Sequence, residues 1–288
     1  MKWLLAVFAI LILCLLAILE SRRESKFFRI TEYKIKSPKL KGMKEPVKVL
    51  FLSDLHNCSY GEKNQDLLRA IQDADPAYIF IGGDMLVRRN GTSYEATLEF
   101  LQKLPEICPV YYANGNHEQK LKMEPEYFEQ SYEAYKKALL SCGIHMLENQ
   151  SVALVFEGKK VILTGLEIPL KGYRKFYHCK LEALDITSCI GEASKEYQIL
   201  LAHHPGHVPL YKNWGADLIL SGHLHGGVLR LPFLGGLIAP DFRLFPKYSG
   251  GIYKEGDVTI VVSRGLGVHS MPLRIFNPPE LVVLNFQG

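Results

Sequence analysis

The stretch Val47-Lys48-Val49-Leu50-Phe51-Leu52-Ser53-Asp54-Leu55-His56 decides the reading of the fold. A short apolar, β-prone run with polar residues directly after it reads as a buried strand whose C-terminal end carries a loop. The same grammar recurs along the chain. Residues 78–81 precede Gly82-Gly83-Asp84, residues 110–113 precede Gly115-Asn116-His117-Glu118, and residues 199–202 precede His203-His204-Pro205. Residues 218–220 stand ahead of Gly222-His223-Leu224-His225-Gly226-Gly227. In open α/β sheets the carboxyl ends of the strands share one edge, where ligands bind. Five loops carrying Asp, His and Asn are therefore expected to meet, and those residue types coordinate metal.

Seven side chains would converge: Asp54, His56, Asp84, Asn116, His203, His223 and His225. That is more than one four-coordinate zinc needs. The set suits two divalent cations about 3.5–4 Å apart with one carboxylate shared between them. Mixed imidazole and carboxylate ligands favour Mn, Fe, Zn or Ni over Ca or Mg. Each element alone is weak, since Gly-Asp is usually a turn and a loop-edge histidine usually a satisfied polar residue. Five of them in this order, each after a strand, outweigh that bland reading. Nothing points to a covalent nucleophile: Gly-x-Ser-x-Gly is absent, and no cysteine sits in a Cys–His signature.

The order Asp-x-His, Gly-Asp, Gly-Asn-His-Glu, His-x-Pro, Gly-His-x-His resembles the calcineurin-like metallophosphoesterase superfamily, from about residue 47 to 286. Phe245-Pro246-Lys247-Tyr248, Val262-Ser263-Arg264-Gly265-Leu266-Gly267 and Pro278-Pro279-Glu280 look like its membrane-anchored bacterial branch. That branch includes enzymes assigned to UDP-2,3-diacylglucosamine hydrolysis. The resemblance implies an α/β fold, a two-sheet β-sandwich flanked by helices with the site at the sheet edges. It places Asp54, His56 and His225 on one metal and Asn116, His203 and His223 on the other, with Asp84 bridging. His117 is then the non-ligand histidine beside the leaving group. Two positions depart from the family pattern. Val87 stands where a second Asp often orients that histidine, leaving Glu118 as one candidate partner, while the following Arg88 matches and is placed facing the phosphate. Val228 replaces a Gln after the last motif.

Such a site answers a chemical need. Phosphate esters are anionic and repel hydroxide; two dications polarise the phosphoryl oxygens and lower the pKa of a bridging water from 15.7 toward about 7. The leaving alkoxide needs a proton, and a histidine suits that role.

Residues 3–19 form a second signal: seventeen residues without a charge, rich in Leu, Ile and Ala. As a helix they would span about 26 Å, the short end of a membrane crossing. Cleaved, lipoprotein and twin-arginine signals fit poorly, because no small-x-small site follows, Leu13 precedes Cys14, and Arg22-Arg23 come after the apolar run. An uncleaved anchor is the reading left. Residues 20–48 carry a net charge of +6, leaving −3 for residues 49–288. The basic excess would meet anionic headgroups beside the anchor, or serve as a solvated linker. The body lacks the basic surplus of a nucleic-acid binder. Positive-inside counting leans toward a cytoplasmic body, and the envelope-facing resemblance leans the other way.

With 48% hydrophobic and 22% charged residues in 288, the chain has apolar material for one large core and no linker that would divide it. The expected organisation is an anchor at 1–21, a basic juxtamembrane segment at 22–46 and the catalytic domain at 47–288. A chain beginning near Glu45 is accordingly expected to be soluble and to act normally on small esters. Six cysteines show no CxxC; Cys179 and Cys189 could bridge, with free buried thiols the preferred reading, and Cys58 near His56 reads as a packing residue. His204 is a candidate support for His203. Two segments are expected to shape the substrate site: 169–189, with Tyr173 and several basic residues, and the apolar 228–240, a packed loop or a lip that meets lipid. The combined reading is a membrane-anchored, dinuclear phosphoester hydrolase acting on a lipid-linked or nucleotide-lipid phosphoester. A phosphodiesterase or phosphatase for a soluble nucleotide is the nearest alternative, and a tethered non-catalytic binding protein the alternative from another class.

Overall fold

Both faces of the run 47–52 are buried, which is why it shows no polar alternation. Val49 and Phe51 enter one apolar cluster, and Leu50 and Leu52 enter another on the opposite side of the same sheet. Such double burial is the signature of strands covered by a layer on each face. The computed structural model describes residues 2–173, 186–227, 229–231, 235–239, 244–268 and 273–288.

Its strands in chain order are β1 (Arg29–Lys36), β2 (Val47–Leu52), β3 (Tyr78–Ile81), β4 (Val110–Tyr112), β5 (His145–Met146), β6 (Gln150–Phe156) and β7 (Lys159–Leu166). There follow β8 (Tyr197–Ala202), β9 (Leu218–Ser221), β10 (Leu229–Leu231), β11 (Gly235–Ile238), β12 (Gly251–Glu255), β13 (Val258–Val262) and β14 (Glu280–Gln287). The helices are α1 (Lys2–Glu24), α2 (Gln65–Ala74), α3 (Glu95–Leu101), α4 (Asn116–Met123), α5 (Tyr132–Ser141), α6 (Ile186–Ile190) and α7 (Val208–Trp214).

Two six-stranded sheets result, ordered β1-β14-β2-β3-β4-β5 and β12-β13-β9-β8-β7-β6, with β10-β11 as a separate hairpin. Their inner faces share one core, in which Phe51, Phe80 and Phe286 of the first sheet meet Phe156, Leu163 and Leu220 of the second. The outer face of the first sheet packs on α2, α3 and α5 through Ile71, Phe100 and Leu139. Val208 and Tyr211 of α7 and Ile186 of α6 cover the second. The expected two-sheet sandwich flanked by helices is the fold found. The parallel strands β2, β3 and β4, and likewise β8 and β9, end on the same side, so their following loops meet at the seam.

The basic stretch departs from its expected place ahead of the folded body. Arg29–Lys36 is the edge strand of the first sheet, paired in parallel with β14 from Arg29↔Glu280 to Lys36↔Gln287. Ile35 is 1% exposed. The sheet therefore begins well before Val47, and lysines on an edge strand also discourage pairing with a second molecule. Helix α1 has the length and composition to cross a membrane. Trp3, Leu4, Leu11 and Leu16 on it are exposed, so it is no core helix. Its last turn is different: Ser21 and Glu24 are buried against the body.

This changes what truncation should do. A chain beginning near Glu45 loses β1 and bares β14, and it should aggregate or melt well below a chain that keeps residues 20–44. Ile35→Ala alone should cost about 2–5 kcal/mol in denaturant unfolding. Equal melting temperatures for the two truncated chains would contradict the edge-strand role.

Candidate metal centre

Each loop after a strand delivers its polar residues at a sharp backbone turn. Asp54, His56, Asp84, His223 and His225 all have φ between 49° and 68°, the left-handed region. Non-glycine residues adopt it at a cost of about 1–2 kcal/mol each, and short polar side chains are the usual occupants. Five of the seven expected ligands share that strain, which marks a site over-determined by its surroundings. Two glycines make room for it. A Cβ on Gly222 would stand 2.1 Å from Asp54 Oδ2, and one on Gly115 would stand 2.2 Å from Asp84 Oδ1.

The structure brings together ligand atoms within 4.8 Å in three overlapping groups: Asp54–His56–His225, His56–Asp84–His117 and Asp84–His203–His223. His225 Nε2 lies 3.2 Å from Asp54 Oδ1, and His203 Nε2 lies 3.1 Å from Asp84 Oδ2. His56 Nε2 is 3.8 Å from both carboxylates and 3.0 Å from His225 Nε2. Asp54 is fully buried and Asp84 is 2% exposed. Their free lone pairs are limited: the Ser53 hydroxyl (2.6 Å) and the His223 amide (3.0 Å) donate to Asp54, and the His117 amide (2.8 Å) donates to Asp84.

The ring orientations are fixed from behind. His203 Nδ1 donates to the Gly82 carbonyl at 2.6 Å and His225 Nδ1 to the Gly267 carbonyl at 3.2 Å. A carbonyl only accepts, so in the neutral rings both Nε2 lone pairs face the carboxylates, the arrangement of metal-ligating histidines. His117 is held the opposite way. Its Nδ1 accepts the Arg88 backbone N–H at 3.0 Å, so the neutral ring carries its proton on Nε2. A backbone amide thus takes the place of the missing carboxylate partner.

Charge follows the geometry. Burial opposes ionisation of Asp54 and Asp84, yet both lie well below the ordinary carboxylate range, Asp54 through His225 and His203, Asp84 through His203 and His117. Burial would lower the His203 imidazole, but Asp84 and Asp54 outweigh it and raise it to about 10. Burial pushes His117 down to about 4 against the pull of Asp84. It likewise lowers His223, together with His204 and His203, and His225 against Asp54. The carboxylate pair therefore calls for positive charge between the rings. A cation held there would displace the His203 proton and leave the neutral imidazole that ligates metal. Asn116 Oδ1 is buried without a hydrogen-bond partner among the described residues, which suits a metal ligand. The residues fit divalent transition metals.

Several expectations need correcting. Glu118 does not touch His117. Its carboxylate accepts the backbone N–H groups of Asp84 (2.9 Å), Met85 (2.9 Å) and Gly115 (3.0 Å) and the Tyr112 hydroxyl (2.7 Å), clamping two ligand loops together. Arg88 lines the cavity over the centre, but its guanidinium binds Glu124 at 3.0 Å and lies over the Phe128 ring. His204 packs its ring 4.5 Å from that of His223, and its Nδ1 accepts the Gly206 amide. Cys58, by contrast, packs against the first core cluster as expected. Arg274 and Asn277 were not anticipated at all. Arg274 Nη2 reaches the carbonyls of Arg264, Gly265 and Gly267, and Asn277 Nδ2 those of His225 (2.6 Å) and Gly227 (2.7 Å).

A cavity of about 770 Å³ opens over the centre, lined by His117, Arg88, Arg89, Lys120, Tyr173 and Val268 among others. Tyr173, expected to shape the substrate site, does so with a buried hydroxyl that has no partner among the described residues. The remaining basic and aromatic residues of 174–185, Cys179 and Val228 lie outside the described residues, and Cys189 lies on α6.

Comparison with known proteins places this geometry. Residues 47–227 match the family model described as calcineurin-like phosphoesterase. The chain is 27% identical over 272 residues to the metallophosphoesterase YkuE of Bacillus subtilis, covering 92% of this chain and 87% of that one. It is 28% identical over 241 residues to the phosphodiesterase YaeI of Escherichia coli, covering 83% and 82%. Among solved structures, the phosphopantetheinyl hydrolase of Mycobacterium tuberculosis superposes with a TM-score of 0.46 at 12% identity, over 76% of this chain and 89% of that one.

The Glu118 clamp has a measurable consequence. Glu118→Gln turns an NH₂ group toward backbone donors that a carboxylate now accepts. Unfolding free energy should fall by about 1–3 kcal/mol for each orphaned N–H, read by urea titration. A stability equal to the parent's would show that the clamp contributes nothing.

Proposed function

The chain belongs to the calcineurin-like phosphoesterase family, and on that premise we propose that it is a membrane-anchored hydrolase of phosphoric esters working with two divalent cations. The observation that carries the reading is the split of ligand atoms into Asp54–His56–His225 and Asp84–His203–His223, with Asp84 Oδ2 also facing His56. Asn116 would join the second group through its unpartnered Oδ1, and Asp84 is the carboxylate that both groups would share. When bound, the cations supply electrophilic charge for the phosphoryl oxygens and an activated water.

The protein's own groups supply the rest. Asp54 and Asp84 fix the negative charge that retains the cations, and the buried imidazoles keep the remaining ligands neutral. His117 presents Nε2–H to the leaving oxygen and stabilises its developing charge by a hydrogen bond, with Nδ1 held as an acceptor by the Arg88 amide. Arg88, Arg89 and Lys120 make one wall of the cavity cationic, suited to the anionic flank of a phosphodiester. Arg88 is thereby placed to bind the phosphate of the substrate from that wall.

A lipid-linked substrate is the class favoured by the outer surface. Phe276 and Phe245 are 56% and 62% exposed although their backbones are left-handed, a costly way to present an aromatic ring to water. Leu244 and Phe27 are equally exposed. These residues lie on connected segments: residues 274–277 bond the end of α1, Ile275 bridges β10, and Leu244 bridges β11. An apolar rim beside an exposed apolar helix suits a bilayer surface.

His117→Ala should lower turnover by about 10²–10⁴-fold on a phosphodiester with a poor leaving group, and much less with a good one. Metal content should stay at the parent's value. Loss of metal together with activity would make His117 a ligand instead. The anchor is tested by removing residues 1–19, which keeps Ser21 and Glu24 in place. That chain should hydrolyse a small soluble diester as the full chain does, and lose about 10-fold or more on a lipid phosphodiester in vesicles, because tethering raises local concentration. Equal vesicle activity would sink the lipid reading.

A further inference from the structure

Among the described residues, the last turn is the part of α1 tied to the body, and it is tied to the residues behind the metal centre. The Ser21 hydroxyl accepts the Arg274 backbone N–H at 2.9 Å, and Glu24 Oε2 accepts the Asn277 backbone N–H at 2.8 Å. Ser21 is 2% and Glu24 6% exposed, against 86% for Trp3 at the other end of the same helix. A carboxylate and a hydroxyl drawn out of water at a helix end need a specific gain, since burial of either without a partner is unfavourable.

The two amides they hold belong to the residues that lock His225. Arg274 is 2% exposed and gathers the Gly265 and Gly267 carbonyls with one guanidinium nitrogen. The other donates to the Asn277 carbonyl at 3.1 Å. Asn277 fastens the carbonyls on either side of Gly226, so the strained turn carrying His225 rests on it. Gly267 O is also the acceptor that orients the His225 ring. From helix end to the His225 ring the path runs through two hydrogen-bonded layers.

We infer that Ser21 and Glu24 are positioning residues for the Asp54–His56–His225 half of the centre, so that the segment entering the body from the anchor sets the affinity of one metal position. The inference rests on the two-cation reading and adds which of the two positions depends on the helix end. Residues supporting a ligand from behind typically change metal affinity by about 10–100-fold when lost. In the other half the Gly82 carbonyl orients His203 and the Glu118 clamp holds the Asp84 backbone.

The test is a Co²⁺ titration of the metal-free full chain in detergent, followed by the visible absorption of the bound ion. The parent should bind in two steps. Glu24→Ala should weaken one step by about 10–100-fold and leave the other unchanged. Glu24→Gln keeps an acceptor oxygen for the Asn277 amide and should restore parent binding. Ser21→Ala and Ser21→Thr form a milder pair with the same expected pattern, should Glu24→Ala fail to fold. Two unchanged steps in a folded alanine variant would overturn the inference, as would Gln or Thr variants no better than their alanine counterparts. Equal weakening of both steps would reduce the helix end to general stability and overturn it too. A parent that binds no Co²⁺ would overturn the two-cation reading, and the inference with it.

Discussion

Two ionised carboxylates, Asp54 and Asp84, are sunk at the seam between the sheets with almost no access to water. An unpaired buried charge is intolerable in a protein interior, so positive or hydrogen-bond-donating groups must surround each one. The surrounding structure reads as the answer to that demand. Three imidazole nitrogens stand within 3.8 Å of Asp54, backbone amides from the last and third ligand loops donate to the two side chains, and Ser53 adds a hydroxyl. The left-handed turns at five ligand positions are the backbone cost of aiming so many groups at so small a volume. Divalent cations complete the compensation, which is why a family that hydrolyses phosphate esters can build its centre at a dry sheet edge.

Much of this was legible in the amino-acid order. Runs apolar on both faces, such as residues 47–52, announce covered parallel strands, and polar loops after them announce a shared edge. Six of the seven expected ligands fall into the overlapping clusters for that reason, and Asn116 lines the cavity beside them. The pattern could not show what holds the ligands in place. Glu118 was readable in part, because a Glu three residues after Gly115 sits at the third position of a helix, where carboxylates reach back to loop amides. Its bonds to Asp84 and Met85 come from a strand end more than thirty residues away and have no local signal.

Non-local pairing also hid the edge strand. Residues 29–36 drew attention through their charge, although Thr31, Tyr33 and Ile35 alternate with polar neighbours as an edge strand should. Their partner lies some 250 residues later, beyond the reach of any periodicity. Arg274 and Asn277 were missed for the same reason. The neighbouring Pro278-Pro279-Glu280 was a visible landmark, and its Glu280 proves to be structural, accepting the Arg264 amide and the Thr31 hydroxyl. The chain's two ends thus meet behind the centre, joining the N-terminal helix, the edge strand and the last metal loop into one support.

The number of metals decides whether the centre is dinuclear. Elemental analysis of the purified full chain, run beside a phosphodiester assay on the same sample, tests it most directly. Close to two transition-metal ions per active chain are expected, with Asp84→Asn losing metal from both positions because that carboxylate is shared. A fully active chain carrying one ion or none, or an Asp84→Asn chain that keeps both, would contradict it.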